Sequence, residues 1–262
     1  MPQYSSVRSR LFGVFAPTIT GYHPDESISE EATRQFVRFL LDQGVDGLVP
    51  LGSAGEPVAL TSEERKQLLT VIVEETAGKV PIFAGTADYS TASTIELSLH
   101  AKSLGCDGLM LMPPFLMRPP KQDVLTHFRR VRDRVGLPIM VYNVPSHTGV
   151  EVTPEEIKAL ADDDVVHAVK WSHLEASRIH DTRLLCGSEF PIFAGIDVIA
   201  FEALAAGAAL PVNWLCGRCW LGFWTRVHAY RRCGSRKYMR PAPCSASSAA
   251  STRTTSMPIS VG

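Results

Sequence analysis

The sequence has few of the features that mark a membrane protein, a disulfide-rich protein or a nucleic-acid-binding protein. No apolar run among its 262 residues reaches the roughly 18 residues that are needed to cross a bilayer. Its six cysteines have no regular spacing, which argues against a disulfide framework. The formal net charge of −1 gives no reason to expect nucleic acid or an anionic membrane as a partner. We therefore expect a cytoplasmic protein that binds neither.

The signature motifs of several enzyme classes are also missing. The first βα turn, Gly21-Tyr22-His23-Pro24, is not a Gly-x-Gly-x-x-Gly loop, which argues against a dinucleotide site. No Gly-x-Ser-x-Gly elbow of a serine hydrolase is present. Cys216-x-x-Cys219 has zinc-like spacing but no second ligand pair follows it, so we expect no metal.

What the sequence does contain, from residue 11 to about 209, is a regular alternation of strand-like and helix-like segments. The strands predicted to start at 45, 80, 107, 138, 165 and 190 are 25 to 35 residues apart, the length of one βα unit. Seven consecutive units favour a barrel over an open doubly wound sheet. The fold prediction is an α/β protein, a (β/α)8 TIM barrel, whose domain spans residues 1–209.

Residues 210–262 differ in composition from the rest of the chain. They contain no Asp or Glu, but four of the six cysteines and three of the four tryptophans. We interpret this segment as an atypical tail that is out of frame or otherwise foreign to the fold. Strand eight and the C-terminal helical region would then be lost or replaced after about residue 209.

Two reactive side chains stand at the carboxyl ends of neighbouring predicted strands, where barrel enzymes have their sites. Lys170 ends strand six and Tyr142 ends strand five. Burial disfavours an ammonium, so a lysine there becomes a nucleophile toward carbonyls, and a phenol within reach can transfer protons. The turn Gly52–Gly55 can offer backbone N–H groups and the Ser53 hydroxyl to a carboxylate. Together these groups predict a Schiff-base site for a 2-oxo acid; the alternatives are a lysine that reaches solvent and a tyrosine of the core.

Three motifs occur together in the order expected of one known family. They are Gly52-Ser53-Ala54-Gly55-Glu56, Tyr142-Asn143-Val144-Pro145-Ser146-His147-Thr148-Gly149 and Val169-Lys170-Trp171-Ser172. Over residues 10–209 the chain resembles the dihydrodipicolinate synthase / N-acetylneuraminate lyase family of Schiff-base class I aldolases and lyases.

The resemblance implies a lyase without a cofactor, in which Lys170 forms the imine and Tyr142 is the proton relay. It also implies that Ser53, with the amides around Ala54, binds the carboxylate of a pyruvate-like substrate. His147 and Gly195 are expected to contact that substrate as well; for His147 the alternative is a plain loop histidine. Asp197 is expected to cap the helix that begins at Val198, and the alternative is a contact with the hydroxylated end of a substrate. Family members are commonly homotetramers built from dimers, so a homotetramer or dimer is expected here.

The chain departs from the synthases of this family at positions that contact substrate. They usually carry two threonines where this chain has Ser53 and Ala54, and an arginine where it has His147. These departures favour a 2-keto-3-deoxy sugar acid, or another 2-oxo acid, as substrate. Three alternatives stay open: the lysine-biosynthetic synthase itself, an inactive truncated or frameshifted member, and a phosphate-binding barrel isomerase, although residues 11–209 contain no Gly-rich phosphate loop.

Overall fold

In a computed structural model, residues 11–208 and the backbone of residues 210–211 are described. Short parallel strands alternate with helices along this part of the chain. The strands are β1 (Phe15–Pro17), β2 (Gly47–Val49), β3 (Phe83–Gly85), β4 (Gly108–Leu111), β5 (Ile139–Asn143), β6 (Ala168–Trp171), β7 (Ile192–Ala194) and β8 (Leu210–Pro211).

The helices lie between the strands, as the sequence predicts. They are α1 (Glu30–Asp42), α2 (Ser62–Thr76), α3 (Thr91–Ser103), α4 (Lys121–Val135), α5 (Pro145–Thr148), α6 (Pro154–Asp162), α7 (Ser177–Cys186) and α8 (Ala200–Ala205). Two of the helices begin with a capping box, which Thr61 forms with Glu64 and Thr153 forms with Glu156.

The strands pair in chain order and every pairing is parallel. β1 pairs with β2, and β3 to β8 form a continuous series, while a bridge between Leu48 and Ile82 joins β2 to β3. This order, with helices in the connections, confirms the predicted (β/α)8 class. The register aligns Tyr142 of β5 with Lys170 of β6.

The two faces of the sheet bury different sets of apolar side chains. One set packs with the helices, where Phe128 and Ile157 are fully buried. The other fills the interior of the barrel, where the ring of Phe15 on β1 contacts that of Phe193 on β7 at 5.3 Å between centroids. Burial on both faces explains why the strands are nearly continuous apolar runs in the sequence.

The last described segment departs from the expected pattern in two ways. The helix predicted from Val198 divides into a 3-10 turn over Asp197–Ile199 and the shorter α8. Where strand eight was expected to be lost or replaced, the backbone of Leu210–Pro211 pairs with β7. The proposed foreign tail otherwise lies outside the described residues. Within the described residues, no helix combines the length and apolar character that a bilayer span requires.

Candidate active site

A cavity of about 320 Å³ lies at the carboxyl ends of the strands. It brings together five of the six residues that the sequence proposes for the site. Its lining consists of Pro17, Val49, Gly52, Ser53, Ala54, Met110, Tyr142, Lys170, Gly195, Ile196, Asp197 and Val198.

Lys170 is the buried amine of this cavity. Its side chain is only 6% exposed, so it does not reach bulk solvent. Burial lowers the pKa of Lys170 to about 7, and the negative charge of Asp197 opposes this shift in part. An amine with this pKa is about half unprotonated at neutral pH and can therefore attack a carbonyl.

Tyr142 lies directly beside the amine because the two residues are partners in the β5–β6 register. The Lys170 Nζ stands 4.0 Å from the centroid of the Tyr142 ring. The Tyr142 hydroxyl in turn shares a 3.1 Å hydrogen bond with the Ser53 Oγ. These two contacts link the Lys170 amine to the Tyr142 phenol and the phenol to the Ser53 turn.

The turn that carries Ser53 and Ala54 is held in a strained conformation. Leu51 and Glu56, on either side of it, have φ values of +56° and +51°, which L-residues rarely adopt. The Thr20 hydroxyl fixes the turn by donating a 2.7 Å hydrogen bond to the Gly55 carbonyl. Within the described chain the backbone N–H groups of Ser53 and Ala54 have no acceptor. They are therefore available to a carboxylate in the cavity.

Position 195 requires a glycine, because the side chains of Ser172 and Lys170 pack closely against its Cα. A methyl group on its Cα would overlap the Ser172 Oγ and stand 3.0 Å from the Lys170 Cε. We expect Gly195→Ala to lower the free energy of unfolding by about 1–3 kcal/mol, the usual cost of overpacking. Chemical denaturation measures this loss. Adding Ser172→Ala removes the nearest overlap, so the double variant should be less destabilised than the sum of the single variants; strictly additive losses would contradict this packing.

His147 is not brought to the cavity. It lies exposed on α5, which directly follows β5. Asn143 anchors the segment after α5, because its side-chain amide donates a 2.5 Å hydrogen bond to the Val152 carbonyl. The predicted substrate contact of His147 therefore has no support from the cavity lining and stays a prediction.

Of the two roles considered for Asp197, the helix cap is wrong. The side chain does not cap a helix at Val198; it lies in the cavity wall, in the 3-10 turn after β7. Its charge acts on Lys170 from the turn that follows β7, the strand next to β6. In the sequence, the position of Asp197 just after a predicted strand is compatible with a place in the cavity wall, but it is equally compatible with a helix cap.

No group of three or more metal-ligating side chains is found among residues 11–208.

The sequence did not predict the apolar part of the cavity wall, which is formed by Pro17, Val49 and Met110. In the sequence these residues cannot be distinguished from those of the hydrophobic core.

Comparison with known proteins gives consistent matches over the same part of the chain. The model of the Dihydrodipicolinate synthetase family matches residues 10–212. The 4-hydroxy-tetrahydrodipicolinate synthase of Desulforamulus reducens is 35% identical over 195 residues, which are 74% of this chain and 66% of the relative. That of Geotalea uraniireducens is 38% identical over 185 residues, 70% of this chain and 63% of the relative. The chain thus spans about two thirds of the length of these relatives.

Solved structures of the same kind have the same fold. The dihydrodipicolinate synthase of Aquifex aeolicus superposes with a TM-score of 0.79 at 27% identity, covering 84% of this chain and 75% of the other. The chloride-inhibited enzyme of Acinetobacter baumannii, complexed with pyruvate, gives a TM-score of 0.76 at 26% identity, over 79% and 71%. Since the family model, the relatives and the fold agree, this chain belongs to the dihydrodipicolinate synthetase family.

Proposed function

We propose that the chain is a lyase that binds a small 2-oxo acid, such as pyruvate, as a Schiff base on Lys170. The observation that carries the proposal is the buried Lys170 amine, with a pKa of about 7, placed 4.0 Å from the ring of Tyr142. The relatives support the proposal, because they are named as synthases of one family. The structure of the Acinetobacter baumannii enzyme supports it as well, because that enzyme is complexed with pyruvate.

In this mechanism the neutral Lys170 Nζ attacks the ketone carbon of the acid and forms a carbinolamine. Loss of the former ketone oxygen as water leaves an iminium ion, and Tyr142 transfers the protons through its hydroxyl. When the bond between C3 and C4 breaks, the iminium accepts its electron pair and becomes an enamine, while the C4 hydroxyl gives up its proton and C4 leaves as an aldehyde. Protonation of the enamine at C3 restores the iminium; in the direction of synthesis the enamine instead returns the pair to an aldehyde carbon, whose oxygen takes up the proton. Hydrolysis of the imine then regenerates the free amine.

The carboxylate of the acid is placed at the Ser53 turn. There the N–H groups of Ser53 and Ala54 are without acceptors in the described chain, and the Ser53 hydroxyl already contacts Tyr142. Ala54 has no hydroxyl to add, so the backbone and Ser53 carry the recognition. This arrangement fixes the ketone between the amine and the phenol, which are the two groups that react with it.

Two kinds of substrate are candidates for this Schiff-base reaction. A 2-keto-3-deoxy sugar acid is favoured by Ala54 and by His147 in place of the arginine usual in synthases. The synthase reaction itself is favoured by the names of the relatives. Assays of pyruvate release from a panel of 2-keto-3-deoxy acids, and of 4-hydroxy-tetrahydrodipicolinate formation, distinguish the two.

The direct test of the proposal is borohydride reduction in the presence of pyruvate. We expect one adduct per chain, with a mass gain equal to pyruvic acid less one oxygen atom, and peptide mapping should locate it at Lys170. Borohydride without pyruvate is the control and should leave the mass unchanged. An unchanged mass with pyruvate, or an adduct on another lysine, would contradict the proposed function.

The assembly and the cellular location stay predictions. A homotetramer or dimer is expected from the family resemblance, although one solved neighbour is described as a monomeric dihydrodipicolinate synthase variant. A cytoplasmic location is expected from the composition alone. Light scattering of the purified chain measures its assembly directly.

A further inference from the structure

The hydroxyl of Ser172 is buried beside the reacting amine without a partner. Ser172 is 6% exposed, and its Oγ has no hydrogen bond among residues 11–208. It follows Lys170 by two residues at the end of β6, so both side chains project from the same side of the strand. Buried hydroxyl groups are normally hydrogen-bonded, and one without a partner at a reactive site requires an explanation.

Gly195 brings the two side chains together. A Cβ added to Gly195 would overlap the Ser172 Oγ and stand 3.0 Å from the Lys170 Cε, so both atoms lie beside the same point. The lysine Cε is therefore a neighbour of the serine hydroxyl. The Nζ is one bond further on and stands over the Tyr142 ring.

The amine, like the hydroxyl, makes no hydrogen bond within the described chain. Rotation about the Cδ–Cε bond of Lys170 moves Nζ while leaving in place Cε, the atom that shares the space beside Gly195 with the Ser172 Oγ. A hydroxyl can accept a hydrogen bond from either form of the amine. The two unpartnered groups can thus satisfy each other through one side-chain torsion.

We propose that Ser172 is a positioning residue for Lys170, whose hydroxyl accepts an N–H of the amine and directs its lone pair into the cavity. The inference rests on the Schiff-base function proposed above and adds a residue to it. The charged or titratable groups that face the amine are Asp197, in the turn after β7, and Tyr142 on β5. Ser172 adds a neutral acceptor directly after β6, the strand that carries the amine.

The test is the pH dependence of the rate of pyruvate trapping by borohydride. In the unsubstituted chain this rate should rise with pH through an inflection near 7. An acceptor favours the ammonium form, so Ser172→Ala should move the inflection down by about one pH unit. It should also lower the limiting rate roughly tenfold, because the amine loses its orientation.

Ser98→Ala is the matched control. Ser98 is also a buried serine, but it bonds the Thr86 hydroxyl at 2.7 Å and does not line the cavity. This variant should keep the inflection of the unsubstituted chain. If Ser172→Ala still forms the adduct but shows the same inflection as the unsubstituted chain, the inference about Ser172 is overturned. Failure of the unsubstituted chain to form an adduct would overturn the proposed function as well.

A second measurement applies if Ser172→Ala does not fold. In crystal structures of the free and the borohydride-reduced protein, the Ser172 Oγ should lie about 3 Å from the Lys170 Nζ in at least one state. A separation of more than about 4 Å in both states would overturn the inference.

Discussion

Replacing Lys170 with methionine should abolish pyruvate trapping and at the same time stabilise the fold. Methionine has a similar length but no charge to bury. Because burial lowers the pKa of Lys170 to about 7 from an ordinary value of about 10.4, the amine costs about 4 kcal/mol of folding free energy at pH 7. Lys170→Met should recover a large part of this cost, measured by chemical denaturation.

The pH dependence of this gain has a definite sign. Between pH 7 and about 10.4 the unfolded chain holds a proton that the folded chain has released, so the unsubstituted protein becomes more stable as the pH rises. Lys170→Met lacks this rise, and its advantage should therefore be largest below pH 7 and shrink toward pH 10. Lys158→Met, which changes an exposed lysine paired with Asp162, is the control. A variant at position 170 that is less stable than the unsubstituted chain at pH 7 would contradict the assignment.

Replacing Tyr142 with phenylalanine should slow turnover without preventing capture of the substrate. The ring that lies under the amine is kept, but the hydroxyl that bonds Ser53 is lost. General acid–base groups contribute about 10²–10⁴-fold, so kcat should fall within that range. Borohydride should still trap pyruvate, since Lys170 remains. Steady-state kinetics, with whichever substrate the panel of 2-oxo acids identifies, measure the loss of turnover. The mass of the borohydride adduct measures capture of pyruvate.

Tyr89→Phe gives the matched control for this second prediction. Tyr89 is half-exposed, packs on Phe115 at 4.5 Å between ring centroids, and does not line the cavity. Its variant should keep the parental kcat. If Tyr142→Phe keeps kcat within about threefold of the parent, the alternative of a core tyrosine without a catalytic role is correct.

The sequence was sufficient for the barrel and for the placement of Lys170 beside Tyr142. Spacing of the βα units predicted the parallel strands, and the strand ends predicted Lys170, Tyr142 and the Ser53 turn, because a parallel barrel places all strand ends at one face. It could not predict that α5 leaves His147 outside the cavity lining, since the path of a loop depends on packing. The Ser172 hydroxyl was missed for a similar reason. Its importance depends on Gly195, which has no side chain beyond its Cα and directly follows the neighbouring strand β7.

The pairing of Tyr142 with Lys170 across β5 and β6 has a consequence for how this chain could change its substrate. The spacing between the Lys170 amine and the Tyr142 phenol is set by main-chain hydrogen bonds, and sliding one strand by a single residue would turn one of the two side chains out toward the helices. Under the proposed function, loops around the rim can therefore be exchanged to admit new aldehydes or acids while this pair keeps its geometry. Selection and engineering should accordingly find new specificities in the loops and leave these two strands unaltered.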